Sequence, residues 1–379
     1  MNRDLFFRVS VNAGGAKYDL SADLTNLLLE EDNTQADQLS VDVSDPYKVL
    51  GHAFQEGMEV EVELGKGDDH SVMFRGVIYK VNGTFPETGV PTLALKAYDK
   101  SMDMGLLKRN RPWVNRTLSQ IVADVAQSYF PFPRQDIVVL GDPDFGDDGM
   151  RQQDETDLAF LLRLGGEFGC EMFVDSDDFG ETFHFLSQKS IMERDPVATL
   201  HYGRCDVDTR LLSFEPGTDV TNIQLPQVLS GTDYATGTVN EVTLGDDEKV
   251  GDQDDGFVDE NLTAFRKRYP DQSEQLEGLL GAAEGIQTAL RTKLGTATRR
   301  AITTFVSPPA LQQRRKNQFS TSRLGMRASG VTDGNRALHA QSMISLEDVG
   351  GRFSGTWYLS QVKHTLNGQG YKTEFQCQR

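Results

Sequence analysis

The alternation of apolar and polar residues along the first hundred positions constrains the fold of this chain more than any other feature. Apolar side chains recur at every second residue in Leu5 to Val11, Leu39 to Val43 and Met58 to Leu64, where glutamates fill the intervening positions of the last segment. A further pair of such segments, residues 72–81 and 92–98, follows with a turn-rich connection between them. Since successive side chains of a strand point to opposite faces, each segment predicts a strand with one buried and one solvated face. A meander of such strands predicts a small barrel or sandwich.

The pattern changes to helical spacing in the next part of the chain, residues 106–200. A capping box, Thr117-x-x-Gln120, precedes apolar residues at intervals of three and four, which predicts a helix. A second helix is predicted to begin at Asp154 and to end at Gly169 in the C-cap position. Two aromatic-rich strand segments follow, so this part is predicted to be a mixed α/β unit.

Strand patterning then returns and closes with two strands around the turn Asn367–Gly370. Residues 246–300 interrupt it with an acidic run and then helix-forming sequence. The predicted fold class is α+β, mainly β, with an α/β domain between two β-rich domains. The expected boundaries are 1–105 for the first β-rich domain, 106–200 for the α/β domain and 201–379 for the second β-rich domain, which carries the acidic and helical insertion at about 246–300.

One short element occurs twice, once in each β-rich region. The copies share the pattern F-x-G-x-x-Y and comprise Phe74, Gly76 and Tyr79, and then Phe353, Gly355 and Tyr358. Each copy follows a strand and a glycine-containing turn and precedes a hairpin partner, so the context repeats with the letters. We interpret the copies as a structural repeat of two related barrels, an arrangement that lets fewer subunits meet a ring of more. Chance is the alternative for three identities in six residues.

The helix-forming part of the insertion contains apolar residues that can line helix stripes. The candidate partner-docking residues are Leu262, Phe265, Leu276, Leu279 and Leu280. Gly278, Gly281 and Gly285 weaken an isolated helix by about 1 kcal/mol each relative to alanine, so the helix needs a packing partner. Two interpretations stay open: the segment packs on its own β-rich domain, or it protrudes and binds a neighbouring protein.

Signatures of catalysis and of metal or cofactor binding are missing from the sequence. The six histidines form no H-E-x-x-H motif, and no phosphate-binding loop, dinucleotide fingerprint or nucleophile elbow occurs. Ser360-x-x-Lys363 matches the letters of acylating serine enzymes but lies in a predicted strand, where residues three apart point to opposite faces. We therefore predict no catalytic residue, no cofactor and no metal ligand.

Charge and apolar run length exclude two further classes of partner. The formal net charge is −19, and stable nucleic-acid binding needs clustered Lys and Arg to neutralise phosphates. The longest apolar runs fall far short of the roughly 18 residues that a membrane helix requires. We therefore expect no stable nucleic-acid binding and no membrane insertion. The N-terminal segment Met1 to Val11 has no long apolar region and no small-residue cleavage site, so we expect the chain to be made in the cytoplasm.

The order of several segments carries a family resemblance. The segments are Ala36-Asp37-Gln38-Leu39-Ser40-Val41, Phe74-x-Gly76-x-Ile78 running into Leu95-x-Ala97-Tyr98-Asp99, Asn115-Arg116-Thr117-Leu118-Ser119-Gln120-Ile121-Val122, Gln153-x-Glu155-Thr156-Asp157-Leu158-x-Phe160-Leu161-x-Arg163-Leu164, and Phe353-x-Gly355-x-x-Tyr358 through His364 to Gly370-Tyr371-x-Thr373-x-Phe375. In this order they resemble the phage late control gene D family, which comprises baseplate hub proteins related to the hub-forming part of VgrG. Residues 246–300 do not match the family pattern. If this segment protrudes, the resemblance implies that it holds a neighbouring baseplate or tail-tube component.

The resemblance implies a structural function rather than an enzymatic one. It implies that the two β-rich domains, 1–105 and 201–379, are tube-like antiparallel β-barrels. It also implies a homotrimer whose six barrels form a pseudo-hexameric ring around an open channel, as a symmetry adaptor between a hexameric tail tube and a trimeric spike. The implied partners are further copies of the chain, a separate spike protein, the tail tube protein and other baseplate proteins, in a contractile phage tail or injection particle. Two alternatives are a hub-like distal tail protein of a non-contractile tail and a tail-associated peptidoglycan hydrolase.

Overall fold

The computed structural model describes most of the chain. The described residues are 5–147, 149–204, 209–218, 227–232, 239–242, 259–295, 299–303 and 326–379. The strands are β1 (Leu5–Ala13), β2 (Ala16–Asp19), β3 (Leu24–Asp32), β4 (Gln38–Ser44), β5 (Glu59–Lys66), β6 (Asp69–Thr84), β7 (Thr92–Tyr98), β8 (Lys108–Trp113), β9 (Gln135–Val138), β10 (Met150–Thr156), β11 (Cys170–Asp177), β12 (Gly180–Ser187), β13 (Ala198–Tyr202), β14 (Arg210–Thr218), β15 (Gln227–Thr232), β16 (Val239–Val242), β17 (Arg299–Thr303), β18 (Met326–Asp333), β19 (Met343–Glu347), β20 (Gly355–Asn367) and β21 (Gly370–Gln378). The helices are α1 (Leu50–Ala53), α2 (Leu118–Ala126), α3 (Asp157–Phe168), α4 (Gln188–Met192), α5 (Asp259–Arg268) and α6 (Pro270–Gly295), with a 3-10 helix at Lys100–Gly105. The chain is therefore α+β and mainly β, as the sequence predicts.

The C-terminal strands form a closed ring, which we call ring 2. Their order is β19-β13-β14-β18-β21-β20, and β20 pairs back with β19. Closure leaves no free edge within the ring and encloses a core that includes the fully buried Trp357 and Leu359. Fully burying a side chain of this size stabilises the fold by roughly 1.5–3 kcal/mol.

The N-terminal strands β1 to β7 curl around one core and form what we call ring 1. Their order is β3-β4-β7-β6-β5-β1-β2. A corner between β2 and β3 bridges the two ends of this sheet: the Leu20 amide donates to the carbonyl of Val9 at 2.7 Å, and the Ser44 amide donates to the carbonyl of Asp23 at 2.8 Å. Ring 1 is therefore closed by the chain itself, which turns from β2 into β3 through a corner that backbone hydrogen bonds hold to β1 and β4, whereas ring 2 is closed by a strand ladder.

The two rings belong to one continuous sheet of thirteen strands. They meet where β20 pairs antiparallel with β3, and the polar face of that seam is cross-linked by side chains. Lys363 forms an ion pair with Glu30 at 2.5 Å, and the Gln361 amide donates to Asp32 at 3.1 Å. This junction joins residues more than three hundred positions apart in the sequence.

The α/β unit, which lies between the strands of ring 1 and those of ring 2 in the sequence, has its own core and two small sheets, β10-β8 and β11-β12-β9. The predicted capping box of α2 is confirmed, because the Thr117 side chain accepts from the Gln120 amide and the Gln120 side chain accepts from the Thr117 amide. The left-handed C-cap of α3 at Gly169 is also confirmed, with φ of 64°. The start of α3 at Asp154 was predicted three residues too early, because β10 extends to Thr156, whose side chain caps the helix.

The strands β15, β16 and β17 form a separate small sheet, and α5 and α6 lie within the predicted insertion. The acidic run that begins the insertion, residues 246–260, lies outside the described residues except for Asp259 and Glu260, which begin α5. Ring 2 begins with β13, Ala198–Tyr202. The division of the chain into three domains with the stated boundaries stays a prediction.

Candidate assembly interfaces

The two copies of the F-x-G-x-x-Y element lie in different rings. Phe74 is buried in the core of ring 1, and Phe353 packs against the core of ring 2. The strands around them correspond: β6 pairs with β5 before it and β7 after it, and β20 pairs with β19 before it and β21 after it. The structure therefore separates the two copies into topologically similar surroundings.

The tyrosine of each copy connects its ring to a carboxylate outside the ring. The Tyr79 hydroxyl donates to Asp103 of the 3-10 helix at 2.7 Å, and the Tyr358 hydroxyl donates to Glu171 of β11. Burial raises the pKa of the Glu171 carboxyl, and the hydrogen bonds from Tyr358 and Gln188 oppose that rise. Each tyrosine thus contributes to the attachment of a ring to neighbouring structure.

The two glycines of the element differ in conformation. A Cβ on Gly76, in the middle of β6, would lie 2.3 Å from the Tyr98 carbonyl oxygen and 2.6 Å from the Phe74 ring. Gly355 is the first residue of β20 and has φ of +121°, a backbone conformation that residues other than glycine rarely adopt. Gly76 is required by a close approach and Gly355 by its backbone conformation.

Polar and ionisable side chains cross two contacts, one between the two rings and one between ring 1 and the α/β unit. The buried Glu31 of β3 forms an ion pair with His339 of the β18–β19 connection at 3.0 Å. Burial lowers the pKa of His339, but the charge of Glu31 and its hydrogen bond outweigh burial and raise the pKa to about 9. The α/β unit contacts β6 directly, since the Val72 amide donates to Asp178 at 3.1 Å and the Arg75 amide donates to Ser176 at 3.0 Å. The α/β unit therefore lies against the first half of β6.

The opposite end of the sheet carries the β6–β7 and β20–β21 hairpins, which we call the hairpin end. One cross-strand row connects the two hairpins and consists of Asn367, Asn26, Asp42, Ala94 and Asn82. Because these residues are consecutive cross-strand partners, the hairpins of ring 1 and ring 2 project from the same end of the strands. Each chain therefore presents two topologically equivalent hairpins at one end and a single α/β unit away from it.

Exposed apolar side chains lie at the hairpin end of ring 1. They belong to the β4–β5 and β6–β7 connections and comprise Tyr47, Val49, Phe85 and Val90, which we call the apolar rim patch. The two connections are adjacent, because Ser44 pairs with Thr92 and the Asp45 amide donates to the Pro91 carbonyl at 2.8 Å. Sequence reasoning missed this patch, since aromatic residues in loops resemble core residues until their exposure is known.

The predicted docking residues of the insertion lie on α5 and α6, except that the side chain of Leu262 lies outside the described residues. Phe265 packs against Tyr269 with ring centroids 5.2 Å apart, and Leu276 and Leu280 are half-buried. Leu279 and Ile286 are each 67% exposed. An ion pair between Arg266 and Glu277 at 2.8 Å joins the two helices. Of the candidate residues whose side chains are described, Phe265, Leu276 and Leu280 are thus half-buried and Leu279 is exposed.

The described residues contain neither a metal-binding cluster nor a membrane-spanning helix. No group of three or more His, Cys, Asp or Glu side chains among them is placed to hold a metal ion. Within the same part of the chain, no helix is both long and apolar enough to cross a membrane.

Comparison with known proteins gives one family and several similar structures. The family described as phage tail baseplate hub (GPD) matches residues 39–370. No curated protein matches the chain.

The similar structures share low sequence identity with the chain. A tail protein from Neisseria meningitidis MC58 is 14% identical and has a TM-score of 0.66, with 98% of this chain and 96% of that chain covered. The 43 kDa tail protein of prophage MuSo2 from Shewanella oneidensis is 12% identical and has a TM-score of 0.62, with 98% of each chain covered. The E. coli c3393 protein, described as a component of the type VI secretion system, is 12% identical and has a TM-score of 0.57, with 94% of this chain and 73% of that chain covered. These similarities establish the fold, and the family match over residues 39–370 establishes that the chain belongs to the phage tail baseplate hub family.

Proposed function

We propose that the chain is a trimeric adaptor that joins a sixfold tail tube to a threefold spike around a central channel, in a contractile tail or a related injection particle. The observation that carries this proposal is the presence of two strand rings within one continuous sheet of a single chain. Three copies would supply six rings, the number needed to meet a hexameric tube.

The two ends of the chain support a polarity for this adaptor. The hairpin end presents two equivalent hairpins per chain, which gives six positions in a trimer and suits a sixfold partner. The α/β unit occurs once per chain, which gives three positions and suits a threefold spike. A symmetry adaptor requires this difference in copy number between its ends.

The contractile assignment draws on the resemblance to type VI secretion components, whereas the prophage tail proteins fit either kind of tail. A hub-like distal protein of a non-contractile tail remains the second candidate. Reconstruction of the native particle separates them, since a sheath around the tube would support the contractile assignment and a tube without sheath would support the second candidate.

Mass photometry of the purified chain, alone and with its spike protein, tests the adaptor proposal. We expect a species of three copies of the 42.1 kDa chain, formed alone or on addition of spike. A monomer under both conditions would contradict the proposal. A hydrolase assignment would instead require release of peptidoglycan fragments by the isolated chain.

A further inference from the structure

Among the residues that the structure describes, the apolar rim patch lies at one of the two hairpin positions of each chain, that of ring 1. Tyr47 is 85% exposed and Phe85 is 68% exposed at the hairpin end of ring 1. At the corresponding position of ring 2 the turn reads Asn367-Gly368-Gln369-Gly370 and contains no apolar side chain. The two rings therefore share a topology at this end but differ in surface chemistry.

Buried contacts hold the apolar rim patch in place. The Asp45 carboxylate accepts from the amides of Val49 at 2.9 Å and Leu50 at 3.1 Å, and it is itself buried. The Phe85 ring lies over the backbone of Gly83, where an added Cβ would approach it to 2.9 Å. Side chains presented by a fixed backbone lose less conformational entropy on binding, which favours their use as anchors.

We infer that the apolar rim patch is a docking site for the tail-tube protein, and that it anchors the tube at alternate positions, three of the six around the trimer. This inference rests on the proposed adaptor function and deepens it. The tail-tube protein is the expected partner because the patch lies at the hairpin end, whose two hairpins per chain would face a sixfold ring. At the other three positions the polar turn of ring 2 would make weaker contacts.

Two exposed aromatic sites provide a matched comparison for the test. Phe85 belongs to the apolar rim patch, whereas Phe179 is 84% exposed at the tip of the β11–β12 hairpin, on the α/β unit. Substituting either residue by serine removes an exposed side chain and should change stability by no more than about 0.5 kcal/mol. A difference in tube binding between the two variants therefore reports on the location of the docking site.

The experiment measures binding of the tail-tube protein encoded with this chain to the purified hub trimer. We expect Tyr47→Ser with Phe85→Ser to weaken binding by roughly tenfold or more, as loss of aromatic anchors does, whereas Phe179→Ser binds like wild type. Gln369→Ala on the ring 2 turn should change affinity by no more than about twofold, since peripheral contacts contribute little. Wild-type affinity in the double variant, or an equal loss in Phe179→Ser, would overturn the inference.

Two further outcomes separate this inference from the adaptor proposal. A double variant that no longer trimerises would mean that the patch contacts another copy of the chain, and a photo-cross-linker at position 85 that captures spike would assign the patch to the spike; either result overturns the inference and leaves the adaptor standing. Failure of the wild-type chain to trimerise would overturn the adaptor itself. Capture of the tube protein by the same cross-linker supports both.

Discussion

Substitution of Gly76 by alanine tests whether the repeated element is built into the strand packing of ring 1. The added methyl group would lie 2.3 Å from the Tyr98 carbonyl oxygen and 2.6 Å from the Phe74 ring, both far inside van der Waals contact. The ring can rotate away, but the carbonyl belongs to β7, whose residue Tyr98 pairs with Val77 beside the glycine. Relief therefore requires the β6–β7 ladder to shift.

Overpacking of this kind costs about 1–3 kcal/mol, and contact with fixed backbone places the substitution in the upper part of that range. Since 1 kcal/mol corresponds to about 2–4 °C in a unit of 150–250 residues, a loss of about 2–3 kcal/mol lowers the melting temperature by roughly 4–12 °C. Circular dichroism during heating measures this change. The matched control is Gly166→Ala in α3, where nothing lies within 4 Å and alanine should stabilise by roughly 0.5–1 kcal/mol. If the melting temperature of Gly76→Ala equals or exceeds that of wild type while the control behaves as stated, the close approach at Gly76 does not constrain the fold.

The remaining predictions concern pH, salt and the insertion. Because the pKa of His339 is raised to about 9 beside Glu31, the ion pair should contribute its full stability below about pH 6.5 and lose it as pH rises through 9. The His339 side chain is 35% exposed, so the contribution of the ion pair should be at most about 1 kcal/mol. If the free energy of unfolding of a Glu31→Gln variant varies with pH between 6.5 and 9 in the same way as that of wild type, this prediction is contradicted. Since the net charge is −19, raising NaCl from about 0.1 to 1 M should raise the melting temperature by screening self-repulsion, and an unchanged or lower value would show that repulsion is unimportant. Replacing residues 246–300 with a short Gly/Ser linker should leave a folded trimer that binds spike but does not enter the baseplate; an aggregated product would instead show that the segment packs on its own barrel.

Local structure was predictable where one residue pattern dominates. The alternating segments of ring 1 gave β1, β4, β5, β6 and β7, with β7 at its observed bounds, because each has one buried face. The capping box gave the start of α2. By contrast, β3 was missed, since the consecutive leucines Leu27, Leu28 and Leu29 hide its alternation, although only the first and third are fully buried.

Long-range features were not predictable from a single sequence. The pairing of β20 with β3 depends on strands from opposite ends of the chain, and many strands of similar polarity could have taken that place. The sequence supported two related barrels through the F-x-G-x-x-Y element, but it gave no sign that they share one sheet. Likewise, Tyr47 and Phe85 carry no mark of exposure, because loop aromatics become surface or core only through tertiary contacts.

The most direct test of the adaptor is an end-on reconstruction, by electron cryo-microscopy, of the hub assembled with its tube and spike proteins. The account predicts six strand rings around an open channel, contributed alternately by ring 1 and ring 2 of three chains, with the hairpin end against the tube and the α/β unit towards the spike. Six copies of the chain each contributing one ring to the channel, or a hub without a channel, would contradict it.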